Sequence, residues 1–332
     1  MMSRSALSLL LLVSLAFGGC DDGPEGSHLR LNELQALGTH NSYHILAQDP
    51  PDPALNYQHT PLPEQLDGGV RHFEIDIHRD AVTGDIAVYH IKSIDEGASC
   101  TTLAACLGAI RAWSDAHPHH HALVVLLEPK DDLARFAFDI GQDPAMTGEL
   151  LWDGHIGDID AVIRAAWPNR LLTPAAVRGR HATLREAIIT SGWPTIDATR
   201  GQLAIVVNDE GALRTAYRDV LDPAAFVFAE PSDDDAAFVK ADTPGADPVR
   251  LATALAAGFI ARSRADGDTV VDPEETAAAI ASGAQLISTD YPVARTDGAH
   301  PGYRIPWPGT PAHPSRCNPV TAPPDCVDAD IE

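Results

Sequence analysis

The chain has 332 residues, 45% of them hydrophobic and 21% charged, which is enough to bury one large core. Lysine and arginine number 23 against 47 aspartates and glutamates, a formal charge of -24. A surface of that sign repels nucleic acid and excludes general polyanion binding away from a local site.

Arg4, the apolar run 6–17 and then Gly18-Gly19-Cys20 read as an export signal, too short to span a bilayer. Small residues before Cys20 resemble a bacterial lipobox, in which the cysteine is lipidated; Phe17 stands where Leu, Val or Ile is usual. The expectation is a signal peptide over 1–20, a polar linker over 21–30, and a protein lipid-anchored in the bacterial cell envelope. Ordinary secretion is the alternative. Five cysteines in an exported chain leave one over, and Cys20 is the natural odd one. Cys100 then pairs with Cys106 and Cys317 with Cys326, each closing a short loop.

Leu34-Gln35-Ala36-Leu37 reads as a short, mostly apolar strand leading into Gly38-Thr39-His40-Asn41-Ser42. Residues 70–77 predict a second strand and 86–91 a third extended piece. Residues 102–116 have helical spacing, while 122–127 form a continuous apolar run of the buried-strand type. Helices are expected over 158–166 and 183–190, the latter opened by Thr183 with Glu186 three residues on. Further strands are expected over 203–207, 225–229, 259–262 and 285–288. The helices 248–257 and 273–281 each begin on proline. About eight strands separated by helices imply an α/β fold, a parallel sheet closed into a TIM-like barrel over 31–300. The tail 301–332 is proline-rich and is expected to be irregular. No internal repeat is visible.

In the second strand alternate residues share a face, so His72, Glu74, Asp76 and His78 point one way and Phe73, Ile75 and Ile77 the other. Inward carboxylates cost several kcal/mol unless something neutralises them. They either pair with cations or hold a metal at the barrel mouth. Catalytic groups of such barrels sit at the C-terminal strand ends, where His40, Asn41, Glu74, Asp76, His90 and Glu128 all fall. Those residue types suit a hard cation and proton traffic at a phosphodiester.

The fragments Gly38-Thr39-His40-Asn41-Ser42, Val70 through His78, Val88-Tyr89-His90 and Leu127-Glu128-Pro129-Lys130 resemble the calcium-dependent phosphatidylinositol-specific phospholipase C family. Ala261 through Asp266 and Ser288-Thr289-Asp290-Tyr291-Pro292 resemble its bacterial secreted branch. The resemblance implies a distorted TIM barrel of the PLC-like phosphodiesterase type with one Ca2+ at the strand ends. It assigns Asn41, Glu74, Asp76 and Glu128 as metal ligands and His40 and His90 as catalytic histidines. Glu74 is expected to deprotonate the inositol 2-hydroxyl, which attacks phosphorus and expels diacylglycerol, giving a cyclic inositol phosphate.

Lys130 shares the face of Glu128 and binds phosphate or balances the acids. Arg262, Arg264 and Tyr291 are candidates for the head group, with an arginine pairing to Asp266 as the structural alternative. His117 to His121 read as a solvated turn, Asp233-Asp234-Asp235 as a solvated helix start, and His72 as a core residue. Two other readings stand beside this one: a glycerophosphodiester phosphodiesterase, and a non-catalytic lipid- or glycan-binding relative. Expected partners are an inositol phosphodiester and a membrane surface, without nucleic acid and as a monomer.

Overall fold

The computed structural model describes residues 28–267 and 270–332, so the expected leader, Cys20 and most of the expected linker lie outside the described residues. Among the described residues eleven strands follow in chain order: β1 (Leu34–Thr39), β2 (His72–Asp80), β3 (Ile86–Val88), β4 (Leu123–Pro129), β5 (Glu149–Leu150), β6 (Leu203–Val207), β7 (Phe226–Val227), β8 (Phe238–Lys240), β9 (Ile260–Arg264), β10 (Leu286–Thr289) and β11 (Ser315–Cys317). Eight of them run parallel in the order β1-β2-β4-β6-β7-β8-β9-β10 and back to β1. A parallel bridge between Phe228 and Phe238 joins β7 to β8 and closes the ring. This is the expected TIM-type barrel, distorted by β3 and β5 pairing antiparallel to β2.

Local chemistry sets the helix starts. Thr102 caps the helix Leu103–Ala116 by accepting from Ala105 N, and Thr183 caps Leu184–Ser191 through Glu186 N. Asp247 and Asp272 cap Pro248–Ala256 and Pro273–Ala281, whose missing first amide costs nothing there. Both disulfides join the expected partners. Among the described residues no helix is long and apolar enough to cross a membrane.

On β2 the residues Phe73, Ile75 and Ile77 are fully buried in the main core, and the polar row faces into the barrel. His72 fills the floor beneath that row. A methyl group on Gly38, its β1 partner, would lie 2.1 Å from the His72 ring, so that position accepts only glycine. Burial and the Arg262 charge push His72 down to about 3, and the ring stays neutral.

Several segments differ from expectation. The Pro-rich tail is not wholly irregular: β11 pairs antiparallel with β1, on the side that β2 reaches only at Gly38. His120 and His121 are buried rather than solvated, bonded to Ser114 and Ser315. Asp233 and Asp235 start no helix; they clamp the Arg218 guanidinium from a turn. β8 was not anticipated.

Candidate active site

Register brings the acids together. Asp76 on β2 pairs with Glu128 on β4, and Val207 on β6 pairs with Leu127, so the next residue, Asn208, falls beside Glu128. Asn208 N donates to Leu127 O at 2.7 Å and continues the ladder. Asp76, Glu128 and Asn208 thus form one row across three strands, with Glu74 one pleat below. Glu74 is 2% exposed and Asp76 0%.

Each acid has a protein partner. Asn208 Nδ2 donates to Glu74 Oε1 at 2.8 Å and to Glu128 Oε2 at 3.0 Å. The Arg262 guanidinium reaches across the barrel to Glu74 and also binds Asp242. Lys130 Nζ lies 2.7 Å from Asp76 Oδ2 and 3.4 Å from Glu128 Oε1. Glu74 is held well below the usual carboxylate range: burial opposes ionisation, and the Arg262 charge overcomes it. Glu128 moves up through burial and then through the charge of Asp76.

With the acids turned to these partners, no three His, Cys, Asp or Glu among the described residues stand in ready metal-holding geometry. The donor set nevertheless fits a hard cation. Asp76 Oδ1 and Asn208 Oδ1 are buried oxygens without a hydrogen-bond partner, beside three carboxylates in one wall.

The end of β1 is built to face this wall. Ser42 N donates to Glu74 O at 2.8 Å, and Ser42 Oγ accepts from Glu74 N at 2.9 Å, stapling the turn onto β2. Gln65 fixes it from below, accepting from Thr39 Oγ1 and donating to Ser42 O. Asn41 takes a left-handed backbone, φ 44°, which asparagine tolerates better than most residues. Its Nδ2 donates to Tyr57 OH at 2.9 Å, a bond that does not engage Oδ1.

Two buried carboxylates orient the two histidines. His40 Nδ1 lies 2.9 Å from Asp290 Oδ1, with Arg264 Nη2 at 3.3 Å. The carboxylate contact is the shorter, which assigns the proton to Nδ1. The His40 pKa is raised: burial and the Arg264 charge lower it, but Asp290 and Glu74 together outweigh them. Asp266 braces Asp290 by accepting from its backbone N at 2.7 Å. His90 follows β3 just before the turn 91–95, and its Nδ1 lies 2.9 Å from Asp95 Oδ2. The same carboxylate binds His44 Nε2, and the two histidines hold Asp95 down at about 2 against burial. The rings of His40, Tyr57, His44 and His90 form a chain with centroid steps of 6.2, 4.5 and 6.4 Å. His78 stacks on Tyr89 at 3.9 Å and bonds its carbonyl, which fixes the backbone entering His90.

The structure therefore brings together His40, Asn41, Glu74, Asp76, His90, Glu128, Lys130, Arg262 and Arg264. Arg262 is 2% exposed and committed to two carboxylates, whereas Arg264 is half-buried beside His40, its Nε bonded to Asp266 O. Tyr291 packs edge-on against His300 and Tyr303. Sequence reasoning missed Asn208, Asp95, His44 and Tyr57, and quoted Asp290 without a role. Only Asn208 carried a signal, a polar residue just after an apolar strand.

A family model described as "Phosphoinositide phospholipase C, Ca2+-dependent" matches residues 29–88 and 83–319. No curated protein matches the chain. Among solved structures, a calcium-dependent phosphoinositol-specific phospholipase C from Pseudomonas sp. shares 21% identity and a TM-score of 0.57, covering 85% of this chain and 96% of its own. That protein was also solved as a myoinositol complex, 20% identical with a TM-score of 0.55 and the same coverage. A Ca2+-dependent phosphatidylinositol-specific phospholipase C from Streptomyces antibioticus shares 17% identity and a TM-score of 0.56, covering 80% and 95%. At these identities the solved structures support the barrel; the family rests on the model match.

Proposed function

The chain belongs to the Ca2+-dependent phosphoinositide phospholipase C family, and from that premise we propose how its residues divide the reaction. Asn41, Glu74, Asp76 and Glu128 would hold one Ca2+, which when bound stabilises charge building on the phosphate and acidifies a hydroxyl beside it. The Arg262 guanidinium keeps Glu74 ionised and fixed in one orientation. Glu74 takes the proton of the inositol 2-hydroxyl as that oxygen bonds to phosphorus. Its basicity is low, so the hydroxyl must be acidified where it is bound.

His40, kept protonated by Asp290, donates from Nε2 to a non-bridging phosphate oxygen, and Arg264 beside it adds positive charge. His90, oriented through Nδ1 by Asp95, gives its Nε2 proton to the glycerol oxygen as the phosphorus–oxygen bond breaks. The products are diacylglycerol and a cyclic inositol phosphate. Lys130 balances Asp76 and Glu128 and is within reach of the phosphate. The observation that carries this reading is the pair of Asp-oriented imidazoles beside the acidic wall.

Its test is product analysis on phosphatidylinositol with and without a chelator. Cyclic inositol phosphate that vanishes with the chelator is expected. Glycerol 3-phosphate from deacylated lipid would instead select the glycerophosphodiester reading. The residues disfavour that reading already, because Asn41 offers an oxygen where a phosphate-binding cation would stand.

Access to a bilayer is supported by the rim of the barrel mouth. Phe136 (61% exposed), Phe138 (54%), Ile140 (57%) and Met146 (78%) lie on and after the helix Asp132–Asp139, which follows β4 and Lys130. Val82 and Ile94, in the loops on either side of β3, are also exposed. Ala81 N bonds to Gly148 O at 3.0 Å, which ties the Val82 loop to the segment carrying Met146. Apolar side chains held out at the substrate entrance suit insertion into acyl chains. Phe136→Ser with Phe138→Ser is expected to lower hydrolysis of vesicle-borne substrate about tenfold or more. Hydrolysis of a water-soluble inositol phosphodiester should stay unchanged; an equal loss on both would refute the docking role. Lipid attachment at Cys20 belongs to the same reading, and Cys20→Ser is expected to release the protein from membrane fractions.

A further inference from the structure

Asn208 holds a position that the acids alone do not explain. Its Nδ2 lies between Glu74 Oε1 and Glu128 Oε2, at 2.8 and 3.0 Å. Ionised carboxylates accept and do not donate, so with both acids charged the amide turns its NH2 to them. That orientation leaves Oδ1 buried and without a hydrogen bond, on a residue only 3% exposed. A buried unmade hydrogen bond costs about 1–3 kcal/mol. The opposite orientation would set Oδ1 against two negative oxygens, which is worse unless a cation lies among the three.

We propose that Asn208 supplies a fifth protein oxygen to the cation site, its amide turning by half a rotation about the Cβ–Cγ bond when the ion binds. The proposal rests on the reading of Glu74 and Glu128 as ligands. After such a turn Oδ1 takes the place of Nδ2, close to 3 Å from each carboxylate oxygen. Neighbouring oxygens in a pentagonal plane around Ca2+, each about 2.4 Å from the ion, stand roughly 2.8 Å apart. The spacing already present is that of a coordination shell. In the metal-free chain the NH2 group takes the place of the ion and keeps two mutually repelling acids together. Because the amide is neutral, it adds an oxygen without adding to the three negative charges around one dication.

Calorimetric Ca2+ titration of the whole enzyme, with melting curves in chelator, tests this. Asn208→Ala removes the oxygen and is expected to weaken Ca2+ binding about ten- to a hundredfold. Asn208→Asp keeps an oxygen but loses the NH2. It is expected to bind Ca2+ at least as tightly as the unaltered protein, yet to melt lower than it in chelator. Should Asn208→Asp bind as weakly as the alanine variant, Asn208 acts only as a hydrogen-bond donor and the proposal fails. Wild-type affinity in Asn208→Ala also overturns it. If that variant does not fold, the aspartate variant decides alone. Absence of Ca2+ binding by the unaltered enzyme overturns the ligand reading itself, a different failure.

Discussion

His90→Ala is expected to lower turnover on phosphatidylinositol about a thousandfold while leaving Ca2+ affinity and melting temperature nearly unchanged. General acid catalysis by one positioned group contributes roughly 10²–10⁴ in rate. Loss of the ring does not orphan its partner, because Asp95 keeps both contacts to His44 Nε2. His90 is also partly exposed, so truncation opens no sealed cavity. The role assigned to it is specific: protonating a poor alkoxide leaving group. A substrate carrying a nitrophenolate leaving group needs no such proton. On that substrate His90→Ala should recover most of its rate, while His40→Ala should remain impaired, since its target is the phosphate itself. Equal losses for His90→Ala on both substrates would remove the leaving-group assignment.

How much of this was legible depends on where each signal lies along the chain. The alternation of Glu74 and Asp76 against Phe73, Ile75 and Ile77 announced an inward polar row, because a strand's two faces are written in a period of two. The strands β1, β4, β6, β9 and β10 were visible as apolar runs, and the helices as capped periodic stretches. β8 was not visible, since three residues cannot carry a period, and the Phe228–Phe238 bridge that closes the barrel is purely tertiary. The same holds for the orienting acids. Asp290 lies 250 residues from His40, so nothing local marks it as a partner. Asp95 is only five residues from His90, but it follows a turn whose geometry the sequence does not spell out. His120 and His121 are polar without being exposed, because Ser114 and Ser315 satisfy them in the interior, and such tertiary partners leave no local mark.

Asp76→Asn should separate the cation from the scaffold that surrounds it. Asp76 is wholly buried, and its charge faces Lys130 Nζ at 2.7 Å while its other oxygen lacks a hydrogen bond. The asparagine is nearly isosteric, so packing is preserved. Lys130 keeps Glu128 at 3.4 Å as a counter-charge, and no cation is left stranded in the interior. The folded state should therefore persist, with melting in chelator close to that of the unaltered enzyme. A hard cation distinguishes the two side chains sharply, since one anionic oxygen of three is lost from its neutralisation. Ca2+ affinity is expected to fall about a hundredfold, and turnover at low micromolar Ca2+ by at least as much. Raising Ca2+ to millimolar levels should restore much of the rate, because His40, His90 and Glu74 remain in place. If affinity stays intact while turnover is lost, Asp76 does not hold the ion and the acidic row must be reassigned.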